Sequence, residues 1–228
     1  MTSRIIFDIE TTGVAWDSLD AFQQTSLLKY AEDDEERERA KKSLTFSPLT
    51  GEVVAIGLLN PNTDRGVVYY RGSPSIGNEA ESREAVKIIL HAVDDERELL
   101  EKFWADTKNY SQLVSFNGRA FDGPFLHIRS AILGIPATKN LVPYRYGIEH
   151  FDLLDQLTFL GATRRTHFSL DMICKAFGIE SPKSHGITGD DVPKLFQEGR
   201  SEDIARYCAG DLRATKQLLE KWESHMGN

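Results

Sequence analysis

Five side chains that could serve catalysis stand in three widely separated segments of the chain: Asp8, Glu10, Asp122, Tyr207 and Asp211. Four of them are carboxylates, which repel one another when a fold brings them together and are then driven to bind protons. A hard divalent cation such as Mg²⁺ or Mn²⁺ prefers oxygen ligands and relieves that repulsion. The set therefore predicts a two-metal site of the kind that hydrolyses phosphodiesters.

The first segment, from Arg4 to Gly13, is an apolar, β-branched run that ends in a Thr-Thr-Gly turn. It predicts a core strand that enters a loop. Because strand side chains alternate with period two, Asp8 and Glu10 are expected on the same face of the sheet. A solvated strand end is the alternative interpretation of an Asp-x-Glu pattern.

The second segment, residues 113–126, predicts a short strand, an Asn-Gly turn and the start of a helix. Pro124 suits the first turn of that helix, and an acid just before it suits an N-cap. Asp122 thus has two interpretations, as a helix cap or as a member of the acidic site.

The third segment lies in a strongly helical stretch that runs to about Trp222. A spacing of four puts Tyr207 and Asp211 on one helical face, so that a phenol and a carboxylate can address the same point. Gly210 weakens this helix, and close approach to a partner segment would explain it. A half-buried tyrosine beside a surface acid is the alternative interpretation.

The elements that must position these groups alternate between strands and helices, as an α/β sheet requires. Residues 51–59 and 66–70 are strand-like and, with the first segment, predict a three-stranded antiparallel meander. Asp95 begins a capping-box pattern for a helix that turns four side chains inward, namely Leu99, Leu100, Phe103 and Trp104. Ser169 is expected to cap a further helix that ends at Gly178.

Residues 14–49 predict a helical insertion directly after the first segment. Pairs at spacing four favour an exposed helix, namely Asp33/Arg37, Glu35/Arg39 and Glu38/Lys42. The insertion is expected to be a solvated face. Its position also allows a flap over the site, on which Trp16, Phe22 and Phe46 could stack against bases.

The net charge of −8 argues against nucleic acid, because phosphate binding normally recruits a surplus of Lys and Arg. Residues 1–110 hold 13 basic and 21 acidic residues, whereas residues 111–228 hold 14 of each. The acidic excess is therefore confined to the first half, and metal ions would neutralise part of it. Basic and histidine side chains of the second half could contact phosphates, namely Arg119, Arg129, Arg145, Arg164, Arg165, His167, Lys183 and His185.

The chain of 228 residues is long enough for one domain, and we expect a single domain over residues 1–228. It has no signal-peptide pattern and no apolar run that could span a bilayer, so a cytoplasmic protein without membrane contact is expected. Cys174 and Cys208 lie in helix-like segments and are interpreted as reduced core residues. Heptad repeats are not evident, and a monomer is the default.

The three segments together resemble the 3'-5' exonuclease superfamily with the DEDD signature, in the branch that carries a tyrosine in the third motif. They are similar in particular to the proofreading exonuclease domain of family B DNA polymerases and its stand-alone relatives. The resemblance runs in order through residues 7–13, residues 117–126 and Tyr207-x-x-x-Asp211. It implies an α/β, ribonuclease H-like fold, with a mixed central β-sheet flanked by α-helices.

The same resemblance implies a role for each residue. Asp8 would bridge two Mg²⁺ or Mn²⁺ ions, Glu10 and Asp211 would complete the first, and Asp122 would hold the second directly or through water. Tyr207 would hydrogen-bond to the attacking water, because a phenol with an ordinary pKa near 10 is poorly suited to remove a proton at neutral pH.

Four further residues are candidates for binding the terminal nucleotide: Thr11, Thr12, Asn117 and Lys183. Lys183 is chosen because it lies in a loop before the third motif, where related exonucleases often carry a basic residue. Turn formation is an equally good reason for the other three. Asp152 and Asp155 are interpreted as helix-capping acids.

The sequence therefore predicts a 3'-5' exodeoxyribonuclease that acts on single-stranded or frayed DNA and releases nucleoside 5'-monophosphates. A 3'-5' exoribonuclease is the nearest alternative, because no residue reports on the 2'-hydroxyl. An inactive nucleic-acid-binding module is disfavoured because all five chemical positions are filled. A replication or repair protein as a further partner stays open.

Overall fold

In the computed structural model, residues 3–73, 86–163, 168–181 and 186–227 are described. Their strands are β1 (Arg4–Gly13), β2 (Gly51–Asn60), β3 (Arg65–Arg71), β4 (Lys87–Val93), β5 (Gln112–Ser115) and β6 (His150–Asp152). Their helices are α1 (Ala21–Leu27), α2 (Asp34–Lys42), α3 (Glu96–Thr107), α4 (Asp122–Ile132), α5 (Leu153–Leu157), α6 (Leu170–Phe177), α7 (Val192–Gln197) and α8 (Ser201–His225).

The six strands form one sheet in the order β4-β3-β2-β1-β5-β6. Strands β1, β2 and β3 form the predicted antiparallel meander, whereas β4 pairs parallel to β3, and β5 and β6 extend the other side in parallel. The mixed sheet flanked by helices confirms the predicted α/β, ribonuclease H-like fold. That residues 1–228 form a single domain stays a prediction.

The side chains of strand β1 alternate between the two faces of the sheet. Ile6 packs in the apolar cluster that includes the buried face of α8. Ile5, Phe7 and Ile9 pack in a second cluster with residues of α3 and α4. Since side chains alternate along a strand, Asp8 belongs to the face on which α8 lies. The register between β1 and β2 shifts between Glu10 and Thr11, and Thr11 and Thr12 remain buried beyond the shift.

The helix boundaries follow the predicted caps. Asp95 accepts a hydrogen bond from the Glu98 backbone N–H at 2.9 Å, and the four apolar side chains predicted to face inward from α3 are buried. The predicted capping box is only half formed, because the Glu98 carboxylate accepts from the Asp94 backbone N–H at 3.1 Å and not from that of Asp95. Ser169 caps α6 by accepting a bond from Met172 N–H, and Gly178 ends this helix with φ of 68°. These local signals are sufficient to define both helices.

The insertion forms two short helices, α1 and α2, neither of which buries a residue. The exposed helix is confirmed, but its ion pairs lie at spacing three, not four: Asp34/Arg37, Glu36/Arg39 and Glu38/Lys41. The start of α2 shows why the predicted pair Asp33/Arg37 does not form. Asp33 is the N-cap and accepts the Glu36 backbone N–H at 2.8 Å, so its carboxylate is held at the helix end.

The last part of the insertion is firmly packed against the sheet. Leu44 and Thr45 are buried in a short 3-10 turn, Ser43–Phe46. The Thr11 hydroxyl donates to the Thr45 carbonyl at 2.8 Å, and the Thr45 hydroxyl donates to the Thr11 carbonyl at 2.9 Å. The insertion therefore ends beside the residue that follows Glu10. Within the described ranges, no helix combines the length and apolar character that a membrane crossing requires.

Candidate active site

Strand β1 and helix α8 bring the first and third predicted segments together. Carboxylate oxygens of Asp8 and Glu10 and the Sγ atom of Cys208 all lie within 4.8 Å of one another. Asp211, one turn further along α8, is close enough to raise the pKa values of both β1 carboxyls. Four residues from opposite ends of the chain thus form one acidic cluster.

The approach of α8 to the sheet depends on a glycine in β2. Gly57 pairs directly with Asp8 across the antiparallel ladder. A Cβ atom at Gly57 would lie 2.7 Å from Leu212 Cδ1 and 2.8 Å from Cys208 Sγ. Because such contacts are too short for carbon atoms, any larger residue would push α8 away from β1. The sequence pattern did not indicate Gly57, since the α8 residues beside it lie more than 150 residues away along the chain.

Asp122 does not cap a helix, so the N-cap interpretation is wrong. Helix α4 begins at Asp122 itself, and its N-cap residue, Phe121, makes no side-chain cap bond. The buried carboxylate of Asp122 instead accepts a hydrogen bond from the backbone N–H of Ile9 at 3.1 Å. The second segment is therefore attached to the strand residue that lies between Asp8 and Glu10.

A cavity of about 430 Å³ opens beside this cluster. Asp8, Glu10 and Asp211 line it together with Tyr207, whereas Asp122 is not among its described lining residues. Aromatic rings, hydroxyls, an amide and further acids complete the wall, which includes Thr11, Thr45, Phe46, Phe116, Asn117, Phe121, Asp171 and Asp190. No lysine or arginine occurs among the lining residues that the structure describes.

The electrostatics of the cluster disfavour the charged carboxylates. Burial raises the pKa of Asp8 well above its ordinary value, and repulsion from Asp211 and Asp122 raises it further. The pKa of Glu10 is raised in the same way, by burial and then by Asp8. Burial raises the pKa of Asp122 to about 7, although hydrogen bonds from backbone N–H groups oppose the rise.

This donor set fits a hard divalent cation. The oxygens are close together and repel one another in a buried setting, and a positive charge placed among them would favour their ionised forms. The Cys208 thiol donates a weak hydrogen bond to Asp8 Oδ2, with 3.7 Å between sulfur and oxygen. Cys208 is buried and free, as expected of a core cysteine, but its contact with Asp8 was not predicted.

Tyr207 lies on the cavity wall as its spacing from Asp211 predicts. Burial, followed by the charges of Asp211 and Glu10, raises the pKa of its phenol well above the ordinary value. A hydrogen bond with Asp211 adds to the rise. The phenol therefore stays protonated and can act as a hydrogen-bond donor, not as a base.

The candidates for binding a terminal nucleotide are in different environments. Thr11 and Asn117 line the cavity, although the Thr11 hydroxyl is already bonded to Thr45. Thr12 is buried, and its hydroxyl lies 3.5 Å from the neighbouring Gly13 carbonyl. Lys183 falls outside the described residues, as do Arg164, Arg165, His167 and His185.

Asp152 caps α5 as predicted and also holds the second segment. Its Oδ1 atom accepts hydrogen bonds from the backbone N–H groups of Leu154 and Asn117, and its Oδ2 atom accepts one from Arg119, each at 2.9 Å. Asn117 adopts φ of 64°, which Asn tolerates better than most residues. The cap is therefore also a support for the loop that presents Asn117.

The three described arginines considered for phosphate contacts are engaged in ion pairs. Arg129 forms a buried pair with Glu96, with 2.6 Å between Nη2 and Oε2. Arg119 and Arg145 both form ion pairs with Asp155, so the Asp155 carboxylate binds these two arginines and does not cap a helix. The capping interpretation of Asp155 is corrected accordingly.

Comparison with known proteins identifies the family. The family described as predicted 3'-5' exonucleases related to the exonuclease domain of PolB matches residues 75–227. The match includes Asp122, Tyr207 and Asp211, while the strand with Asp8 and Glu10 lies before it. The search of the curated proteins gave no match. Since the match covers more than half of the chain, the chain belongs to this family of predicted 3'-5' exonucleases related to the PolB exonuclease domain.

Proposed function

We propose that this protein is a metal-dependent exonuclease that degrades single-stranded or frayed DNA from the 3' end to nucleoside 5'-monophosphates. The observation that supports it best is the cluster in which oxygens of Asp8 and Glu10 lie within 4.8 Å of each other beside Asp211. A phosphodiester is a suitable substrate for such a site, because its negative oxygens need the same cations that the carboxylates need.

In this proposal Asp8, Glu10 and Asp211 would hold two Mg²⁺ or Mn²⁺ ions, and Asp122 would contribute directly or through water. When bound, the ions supply neutralisation of phosphate charge and a lowered pKa for the attacking water. The hydrogen bond from Ile9 N–H to Asp122 sets the spacing between the second segment and β1. Each acid is thus presented by a strand or helix and not by a free loop.

The remaining groups bind and orient. The phenol of Tyr207, kept protonated by its buried acidic surroundings, donates a hydrogen bond that orients the water. Asn117 presents its amide to the terminal nucleotide from a loop supported by Asp152. Thr11 contributes through its backbone, because its hydroxyl is used by Thr45. We retain Thr12 and Lys183 as substrate-binding candidates on the sequence argument alone.

The test is digestion of 5'-labelled single-stranded DNA and RNA of the same sequence with Mg²⁺ or Mn²⁺, with and without a chelator. We expect a ladder that shortens from the 3' end on DNA and disappears with chelator. A ladder on RNA alone would make the protein an exoribonuclease. Binding without cleavage of either polymer would overturn catalysis and leave a binding module.

Two substitutions make the test specific to the cluster. Asp8→Asn keeps the shape of the side chain but removes one charge, and it should abolish the ladder. Asp17→Asn is the matched control, because Asp17 is an exposed acid in the insertion. Equal activity of Asp8→Asn and the unsubstituted protein would show that cleavage does not depend on the acidic cluster.

A further inference from the structure

Three phenylalanine side chains line the candidate cavity, and they differ in how much of the ring is uncovered. Phe116 and Phe121 are half-buried, whereas Phe46 is 58% exposed. The ring centroids of Phe46 and Phe121 lie 6.5 Å apart with an interplanar angle of 63°. Isolated exposed apolar residues are common on protein surfaces. Exposure alone therefore does not give Phe46 a function, and its packing and its position in the cavity wall decide the question.

Phe46 is held in place by its two preceding residues. Leu44 is buried, and a Cβ atom on Gly13 would lie only 2.8 Å from Leu44 Cβ, so a glycine is needed for this close packing. The reciprocal hydrogen bonds between Thr45 and Thr11 fix the next residue to β1. Because Thr11 directly follows Glu10, the backbone that carries Phe46 is fixed beside the acidic cluster, and the Phe46 ring lines the same cavity. A backbone that is already ordered loses less conformational entropy when a ligand binds.

The other insertion aromatics that the sequence offered do not share this position. Phe22 is 80% exposed in α1, and the Trp16 ring lies 5.8 Å from Lys41 Nζ, but neither is among the described residues that line the cavity. Of the three aromatic residues that the sequence offered for stacking against bases, Phe46 is therefore the one that lines the described part of the cavity.

We infer that Phe46 stacks on the base of the 3'-terminal nucleotide and so positions the last phosphodiester at the acidic cluster. The inference rests on the proposed function and names the recognition element of the same site. Aromatic rings stack on any base, so the contact would not select sequence. With no lysine or arginine among the described lining residues, stacking is a way to hold a nucleotide that the acidic wall itself does not attract.

The occupant we commit to is a nucleobase and not a protein segment. The cavity of about 430 Å³ lies in the range of small-molecule sites, roughly 300–1,000 Å³, and suits a nucleotide. Phe46 also lies outside residues 75–227, the part matched by the family. The family match therefore does not cover this contact.

The experiment uses a single-stranded oligonucleotide with 2-aminopurine at its 3' end and a phosphorothioate in its last linkage, which slows cleavage. Stacking quenches 2-aminopurine fluorescence, so contact is measured without turnover. With Mg²⁺ present, the unsubstituted protein should quench the signal. Phe46→Ala should lose most of the quenching and bind about 10-fold more weakly, as for removal of one stacked base.

Two control variants separate stacking from general damage to the insertion. Phe46→Trp should restore quenching, because indole offers a larger ring for the same contact. Tyr30→Ala should behave as the unsubstituted protein, since Tyr30 is 82% exposed on the same insertion and does not line the cavity within the described residues.

An oligonucleotide with an abasic 3' end completes the test. It should bind the unsubstituted protein about 10-fold more weakly than the normal end, and Phe46→Ala should cause no further loss on it. Equal quenching and affinity for Phe46→Ala and the unsubstituted protein would overturn the inference. Quenching that depends on Phe46 without any hydrolysis of normal DNA would support it and overturn the proposed function. Absence of oligonucleotide binding with Mg²⁺ would overturn both.

Discussion

Asp122→Asn removes one negative charge next to the acidic cluster and keeps a side chain of nearly the same shape. In the folded chain burial raises the pKa of Asp122 to about 7, against an ordinary value of 3.8. A tenfold change in proton affinity corresponds to about 1.4 kcal/mol, so ionised Asp122 destabilises the metal-free fold by at most about 4 kcal/mol. The amide of the variant is also buried, and we expect a net gain of about 2 kcal/mol in its free energy of unfolding.

The gain should depend on pH. Between about pH 4 and pH 7 the folded chain binds a proton at Asp122 that the unfolded chain does not, so the stability of the unsubstituted protein falls as the pH rises through this window. The stability of Asp122→Asn should not fall in this way, because the amide does not titrate. Its advantage should be absent near pH 4 and complete above about pH 8.

Urea denaturation with a chelator at pH 5 and pH 8 measures this effect. At pH 8 the variant should unfold at higher urea, and its melting temperature should rise by about 4–8 °C for 2 kcal/mol in a domain of this size. Added Mn²⁺ should stabilise the unsubstituted protein more than the variant. A less stable variant at pH 8, or a gain of the same size at both pH values, would refute the reasoning.

Three further predictions concern α8, the glycine in β2 beside it, and the buried ion pair between α3 and α4. Tyr207→Phe should lower kcat by about 10²-fold while KM changes little. A steady-state assay should find this variant more active than Asp8→Ala. If Tyr207→Phe were as inactive as Asp8→Ala, an orienting role for Tyr207 would be contradicted. Gly57→Ala should lower the free energy of unfolding by about 1–3 kcal/mol and remove most of the activity, because the added methyl would lie 2.7 Å from Leu212 Cδ1 of α8. Denaturant unfolding and an activity assay on the same preparation measure both effects. Unchanged stability and activity would mean that the position of α8 does not depend on this glycine. Arg129→Met should cost about 3–5 kcal/mol, because it leaves the buried Glu96 carboxylate without its charge partner. The double variant Arg129→Met/Glu96→Gln should recover part of that loss in the same unfolding assay, and no recovery would argue against a paired buried charge.

Local pattern was sufficient where the physical cause is local. The strand-like residue types of segments 51–59 and 66–70 predicted β2 and β3 almost to their ends, and Ser169 with Gly178 predicted α6. For α6 the capping partners lie within a few residues of each other, and β2 and β3 pair with each other as consecutive strands. Strand β4 (Lys87–Val93) was not predicted, because its pairing is with β3 and its own alternation leaves every second residue exposed.

The features that assemble the site could not be predicted, because their partners are distant in sequence. The bond from Ile9 N–H to Asp122 spans 113 residues and takes the place of the local capping role that was one of the two interpretations of Asp122. The Thr11–Thr45 contact spans 34 residues and fixes where Phe46 lies. Such contacts are decided by tertiary packing, which local propensity does not encode.

The central claim is that the acidic cluster between β1 and α8 binds divalent cations. Anomalous X-ray scattering from crystals soaked in Mn²⁺ tests it most directly, because the signal locates the ion without reference to activity. We expect anomalous density in contact with Asp8, Glu10 and Asp211, and its loss in Asp8→Asn crystals. Manganese bound elsewhere, with no density among these three carboxylates, would contradict it.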